Sequence, residues 1–218
     1  MRGPGADSHR SQRTPRNTTV RGNDGTRGVA VRRVKLLLVS GSLRVGSTNS
    51  AVLQTAAQLA PEGVEAMTYN GLGSLPHFNP DDDAEGQPVH AAVAAMRSAV
   101  ARADALLICT PEYAGALPGA LKNMLEWTIG DAGTHDKPVA WINAAGPAAP
   151  SGAADAHTSL RKVLGYAGAD IVEAACCRIP ITRQVVGPGG RILDPQAREA
   201  IRGSLGALTA HVRRREAE

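Results

Sequence analysis

The chain has 218 residues, 43% of them hydrophobic and only 3% aromatic, which supports one domain with a core of Ala, Val, Leu and Ile. No apolar run approaches membrane-span length and no signal-peptide core is present. Cys109, Cys176 and Cys177 are too few for a disulfide framework, so a cytoplasmic protein with reduced thiols is expected.

The formal charge of +4 arises in residues 1–30, where Arg2, Arg10, Arg13, Arg16, Arg21 and Arg27 face only Asp7 and Asp24. The rest of the chain is neutral by the same count. With few apolar side chains, Pro4, Pro15 and several glycines, residues 1–30 are expected to form a disordered basic extension, followed by the folded domain 31–218. The segment resembles a transit peptide in composition but has no amphipathic pattern. A solvated extension is preferred to a nucleic-acid-binding arm.

The first strand, about 34–40, is a fully apolar run that ends abruptly in Ser40-Gly41-Ser42-Leu43-Arg44-Val45-Gly46-Ser47-Thr48-Asn49. A helix follows over about 48–60, with Val52, Leu53, Ala56 and Leu59 on one face, and Ser47, Thr48 or Asn49 each suits its N-cap. A strand, a loop of small hydroxylated residues and a helix start together build an anion site, because the first helical amides are unpaired and carry partial positive charge. Gly41 and Gly46 allow close approach, and Arg44 adds a fixed charge. The loop lacks the lysine of a nucleoside-triphosphate P-loop and the Gly-x-Gly-x-x-Gly dinucleotide fingerprint. It suits a phosphate monoester that is held and not transferred, as in a cofactor's anchor; an ordinary capped turn is the bland alternative.

A second strand spans Val64–Tyr69, followed by a long polar loop over 70–87 whose Asp81-Asp82-Asp83 reads as a solvated tip. A helix opening at Pro88 puts Val89, Val93, Met96 and Val100 on one face. The third strand is Ala105–Cys109, and its cysteine reads as a small buried residue. The next helix begins near Pro118, with Leu121, Leu125 and Ile129 inward and Met124 and Trp127 outside the stripe. A fourth strand, Pro138–Asn143, a helix over about 155–167, a fifth strand, Asp170–Cys177, and a last helix from Asp194-Pro195 complete the chain. His77, His135 and His157 read as loop or helix-surface residues. Five strands alternating with helices predict a single α/β domain with a doubly wound parallel sheet in the order 2-1-3-4-5. The loops after strands one, three and four then converge on one crevice.

The loop after strand three, Thr110-Pro111-Glu112-Tyr113-Ala114-Gly115-Ala116-Leu117-Pro118-Gly119, is held in an irregular path by its prolines and glycines. Its backbone groups can line the edge of a flat polar ring. Tyr113 can cover a planar ligand, a neighbouring subunit or its own core. Glu112 reads on its own as a helix-start or surface carboxylate.

The pairing of Gly41-Ser42-Leu43-Arg44, Ser47 and Asn49 with Pro111-Glu112-Tyr113 and Pro118-Gly119-x-Leu121-Lys122-Asn123 resembles the NADPH-dependent FMN reductase family. This is the flavodoxin-like group that includes chromate, quinone and azo-dye reductases. The resemblance implies a flavodoxin-like fold, an FMN phosphate held by Ser42, Arg44, Ser47, Thr48 and Asn49, and a ring lying along Pro111, Glu112, Tyr113, Ala114 and Gly146. The family usually has Asn where Ala114 stands and often a serine after strand four, where this chain reads Asn143-Ala144-Ala145-Gly146. The resemblance further implies NADPH or NADH as hydride donor and ping-pong transfer to a quinone, flavin, azo compound or metal oxyanion. It also implies a homodimer or homotetramer, for which the 70–87 loop, Tyr113, Met124 and Trp127 offer contacts; from the residues themselves no metal, membrane or nucleic-acid partner is expected. The alternative is a flavodoxin-type electron carrier or redox-responsive binding protein, which the neutral domain charge disfavours.

Overall fold

A computed structural model describes residues 32–218 of the chain; the basic segment 1–30 expected to be disordered lies outside them. The first strand, β1 (Val34–Ser40), has neighbours on both sides and is buried on both faces. Its side chains alternate, sending Leu36 and Leu38 into one core and Leu37 and Val39 into the other. The strands β2 (Val64–Tyr69), β3 (Ala105–Cys109), β4 (Pro138–Asn143) and β5 (Asp170–Ile171) complete a parallel sheet in the order β2-β1-β3-β4-β5, as expected.

The helices α1 (Thr48–Leu59) and α5 (Pro195–Ala217) cover one face, where Val52 and Leu53 meet Ile201, Leu205 and Leu208. The other face carries α2 (Ala91–Arg102), α3 (Gly119–Trp127) and α4 (Ala154–Tyr166), with Met96, Leu121, Leu125 and Leu160 inward. Asp194 caps α5 by accepting from Ala197 N at 2.7 Å, and Pro195 occupies its first turn.

Several boundaries differ from the sequence expectation. The fifth strand is broken: β5 and β6 (Cys177–Arg178) each have two residues, and a 3-10 turn over Glu173–Ala175 separates them. Glu173-Ala174-Ala175 has little strand preference, and Ser204 Oγ secures the turn by donating to Ala175 O at 2.6 Å. Helix α2 starts three residues after Pro88, capped by His90, which leaves Val89 outside it. Pro118 is the cap of α3 and lies before its first turn. That helix stops at Trp127, where Thr128 Oγ1 donates to Leu125 O at 2.8 Å, so Ile129 is exposed and does not face the core.

Met124 and Trp127 are buried and present no outer patch. Trp127 Nε1 donates to Pro76 O at 2.9 Å, Phe78 meets its ring edge-on at 5.0 Å, and Arg97 lies 5.9 Å from the ring centre. Asn123 clamps the same loop, donating to Pro76 O and accepting from Phe78 N. Asp83 pairs with Arg97 at 2.6 Å and so leaves the solvated tip to Asp81 and Asp82. The 70–87 loop is therefore strapped to its own domain. A short hairpin of β7 (Val186–Gly187) and β8 (Arg191–Ile192), which the sequence reading did not foresee, is fastened to α1 by Ile192 N donating to Thr55 Oγ1 at 2.9 Å.

Candidate functional site

Because β1, β3 and β4 are parallel neighbours, the loops leaving their C-terminal ends meet at one edge of the sheet. In the first loop Ser47 is the N-cap of α1. Its Oγ accepts from Ser50 N at 3.0 Å and lies 2.8 Å from the Ser50 hydroxyl. At 2% exposure this hydroxyl serves the helix. The helix's first backbone bond is Ala51 N to Ser47 O, so the amides of Thr48 and Asn49 are left without intrahelical partners. Ser42 is buried and accepts from Arg44 N at 3.3 Å, while Arg44 itself is exposed. Gly46 has φ of +64°, and nothing lies within 4 Å of a Cβ built there, so the loop is open on that side.

Gly41 also serves the packing of the loops against each other. A Cβ on it would lie 2.1 Å from Thr110 Oγ1, so glycine is what lets the first two loops touch. Asn49 Oδ1 accepts from Cys109 Sγ at 3.3 Å and joins α1 to the end of β3. Complete burial pushes the Cys109 thiol far up, leaving no thiolate at neutral pH.

Glu112 spans the gap between the second and third loops. Its carboxylate accepts from Ser151 Oγ at 2.5 Å and from Ala156 N, in the first turn of α4, at 3.1 Å. The Ser151 hydroxyl and then the helix amide hold this carboxyl below the usual range. Tyr113 and Ala116 exchange backbone bonds of 3.1 Å around Ala114 (φ +51°) and Gly115 (φ +69°), the positive-φ pattern of a type I′ turn. Tyr113 and Ala114 thus stand exposed at a hairpin tip.

Asn143 shapes the third loop, donating to Gly152 O at 2.8 Å and accepting from Ala145 N at 2.9 Å. Gly146 passes close beneath Ile181 O, 3.1 Å from where its Cβ would be. His157, expected on a surface, is buried, with Nδ1 2.6 Å from Ala153 O and Nε2 without a partner. Burial lowers its pKa, and the bond to a carbonyl requires the proton on Nδ1.

Thr48, Asn49, Thr110, Pro111, Glu112, Gly146 and Ser151, with the small Ala144 and Ala145, enclose a crevice of about 230 Å³. Ser42 and Arg44 line an adjoining cavity of about 300 Å³ with Ser40 and Ser50. Arg44, Gly46 and Thr48 border a third, of about 460 Å³, with Arg183. Of the residues expected at the site, Thr48, Asn49, Pro111, Glu112 and Gly146 share the crevice, and Ser42 and Arg44 flank it. Ser47 is buried as the cap of the helix, and Tyr113 and Ala114 are exposed on the hairpin tip and line none of these three cavities. Thr110, Asn143, Ser151 and Arg183 were not expected as site residues; Thr110 and Asn143 begin the loops expected to line the crevice, whereas no motif surrounds Ser151 or Arg183. Among the described residues no group of three or more His, Cys, Asp or Glu side chains gathers for a metal.

A doubly wound sheet with a phosphate-type loop after β1 and a small-walled crevice at the β1/β3 switch point defines a flavodoxin-like protein of the flavin-binding class. A family profile described as NADPH-dependent FMN reductase matches residues 34–180, and the chain belongs to that family. It is an FMN-dependent NAD(P)H oxidoreductase. An NAD(P)H-dependent FMN reductase of Pseudomonas aeruginosa is 37% identical over 183 residues, 83% of this chain and 96% of the relative. A 2-hydroxy-1,4-benzoquinone reductase of a Burkholderia species is 30% identical over 84% of this chain and 98% of the relative. Among solved structures, the flavoenzyme NAD(P)H:(acceptor) oxidoreductase FerB of Paracoccus denitrificans superposes with a TM-score of 0.71 at 25% identity, covering 83% of this chain and 98% of that one. A flavodoxin from Pseudomonas aeruginosa shares the fold, with a TM-score of 0.52 at 19% identity over 81% of this chain and 99% of its own.

The donor set fits FMN. The unpaired amides at Thr48 and Asn49, the hydroxyls of Ser42 and Thr48, and the open side of the loop at Gly46 suit a phosphate monoester. The low walls of Ala144, Ala145 and Pro111 suit a flat ring.

Proposed function

We propose that the crevice between the three loops is the FMN site of a quinone-type reductase. The phosphate lies at Ser42–Asn49 and the ring lies along Thr110–Glu112 and Ala144–Gly146. The observation that supports this is convergence: residues from three separate loops, far apart in sequence, border one cavity at the ends of β1, β3 and β4. When bound, FMN supplies the hydride chemistry between NAD(P)H and a small-molecule acceptor.

The chain's own residues have binding and positioning roles. Thr48 and Asn49 present amides and Arg44 a fixed charge to the phosphate. Glu112 keeps two walls of the crevice at a set separation through Ser151 and Ala156. Asn143 fixes the third wall. The acceptor class is a quinone or similar planar electrophile, in keeping with the name of the Burkholderia relative. The reductase unit is the domain 31–218. Among the described residues no helix is long and apolar enough to cross a membrane, and the three cysteines are free; both features agree with a cytoplasmic enzyme.

The purified protein, stripped and titrated with FMN, should regain a flavin absorption band and oxidise NADPH or NADH when a benzoquinone is added. Failure to bind FMN, or binding with no steady-state NAD(P)H oxidation, overturns the proposal; the second outcome would favour an electron carrier.

A further inference from the structure

We infer that Arg183 is a phosphate-binding residue, closing a two-arginine clamp with Arg44 over the open side of the first loop. Arg183 lies beyond residue 180, where the family match ends, on the segment that leads into the β7–β8 hairpin. The route of that segment explains its position. At one end β6 pairs with β4, and Ile179 N donates to Asn143 O at 2.8 Å. Ile181 is buried and passes over Gly146. At the other end Ile192 is fully buried and bonded to Thr55 of α1. The arm is thus secured to β4 and to α1, and Arg183 is carried across the mouth between them.

Arg183 and Arg44 both line the cavity of about 460 Å³, together with Gly46 and Thr48. Arg97 and Arg161 sit against Asp83 and Glu173, but among the described residues no carboxylate lies within 4.0 Å of Arg44 or Arg183. Two guanidinium groups on one cavity without an acid repel each other, and a doubly charged phosphate ester is the ligand that turns this repulsion into attraction. The ester has two possible sources, the 5′-phosphate of FMN or a phosphate of the nicotinamide dinucleotide. The inference rests on the proposed FMN site.

Arg183 is exposed, so Arg183→Gln should melt like the wild type. Fluorescence titration of the stripped protein with FMN and with riboflavin reads the first source. The expected result is an FMN Kd raised about tenfold, an unchanged riboflavin Kd, and partial recovery in Arg183→Lys. If the FMN Kd holds while the KM for NADPH rises and that for NADH does not, the clamp serves the dinucleotide. Arg214→Gln, with the same loss of charge near the end of α5, controls for net charge. If Arg183→Gln matches the wild type in every titration, or the control reproduces its effect, the clamp is refuted while the FMN site stands. A wild type that binds no FMN refutes the site itself.

Discussion

Ser47 shows how one side chain can serve a proposed binding loop through the helix start it completes. Its oxygen completes the helix start, where it caps Ser50 N, and leaves the neighbouring amides to a ligand. Asp caps as well as Ser does, so Ser47→Asp should leave the melting temperature close to the wild-type value. Yet a carboxylate about 4 Å from a phosphate costs roughly 4 kcal/mol at an effective dielectric near 20, and FMN affinity should fall roughly a thousandfold. A thermal melt paired with a fluorescence titration reads both; unchanged FMN affinity in Ser47→Asp would show that the phosphate lies elsewhere. Glu112 makes the complementary point. Its place beside the crevice was legible from the Pro-Glu-Tyr motif, but its partner Ser151, 39 residues away, was not. A motif specifies neighbours along the chain, and a carboxylate bridging two loops depends on how those loops are brought together.

The Tyr113–Ala116 hairpin is an element with a misfit at its tip. Ala114 has φ of +51°, a region that costs an L-residue with a Cβ roughly 1–2 kcal/mol and that Asn tolerates far better. Asn-Gly is also the preferred pair for this turn. Ala114→Asn should therefore stabilise the protein by about 1 kcal/mol and raise the melting temperature by about 2–4 °C, with little change in FMN affinity. A tighter FMN Kd with no rise in melting temperature would mean instead that the amide reaches the flavin. Long elements were the legible ones: the apolar runs of β1, β3 and β4 and the periodic faces of α1 and α5 contain enough repeats to fix their type. The misreadings occur at ends and interruptions. Extending α3 to Ile129 rotated its apparent stripe away from Trp127, because the hydroxyl of Thr128 that ends the helix cannot be weighed from apolar spacing. The fifth strand looked continuous because Val172, Ala174 and Ala175 are apolar, although Ala and Glu favour a turn there.

For the whole molecule, burial of Trp127 moves the question of assembly to the mouth of the crevice. Leu43, Val45 and Tyr113 are 58%, 98% and 53% exposed on the loops after β1 and β3, and association of two copies through these side chains is the expected form of the homo-oligomer that the resemblance implies. Light scattering should then give a mass above that of one chain, and Val45→Glu should lower it with the melting curve unchanged. Trp127→Glu, by contrast, should unfold the domain, since it buries a charge without a partner. A wild type that scatters as a single chain would remove the shared mouth. The broken fifth strand limits how such copies can meet. Fragments of two residues leave no row of free backbone groups at that border of the sheet, so another chain cannot extend it by strand pairing. Among the described residues only β2 offers a full-length border to this sheet, and there the exposed Glu65 stands as a charge against polymerisation.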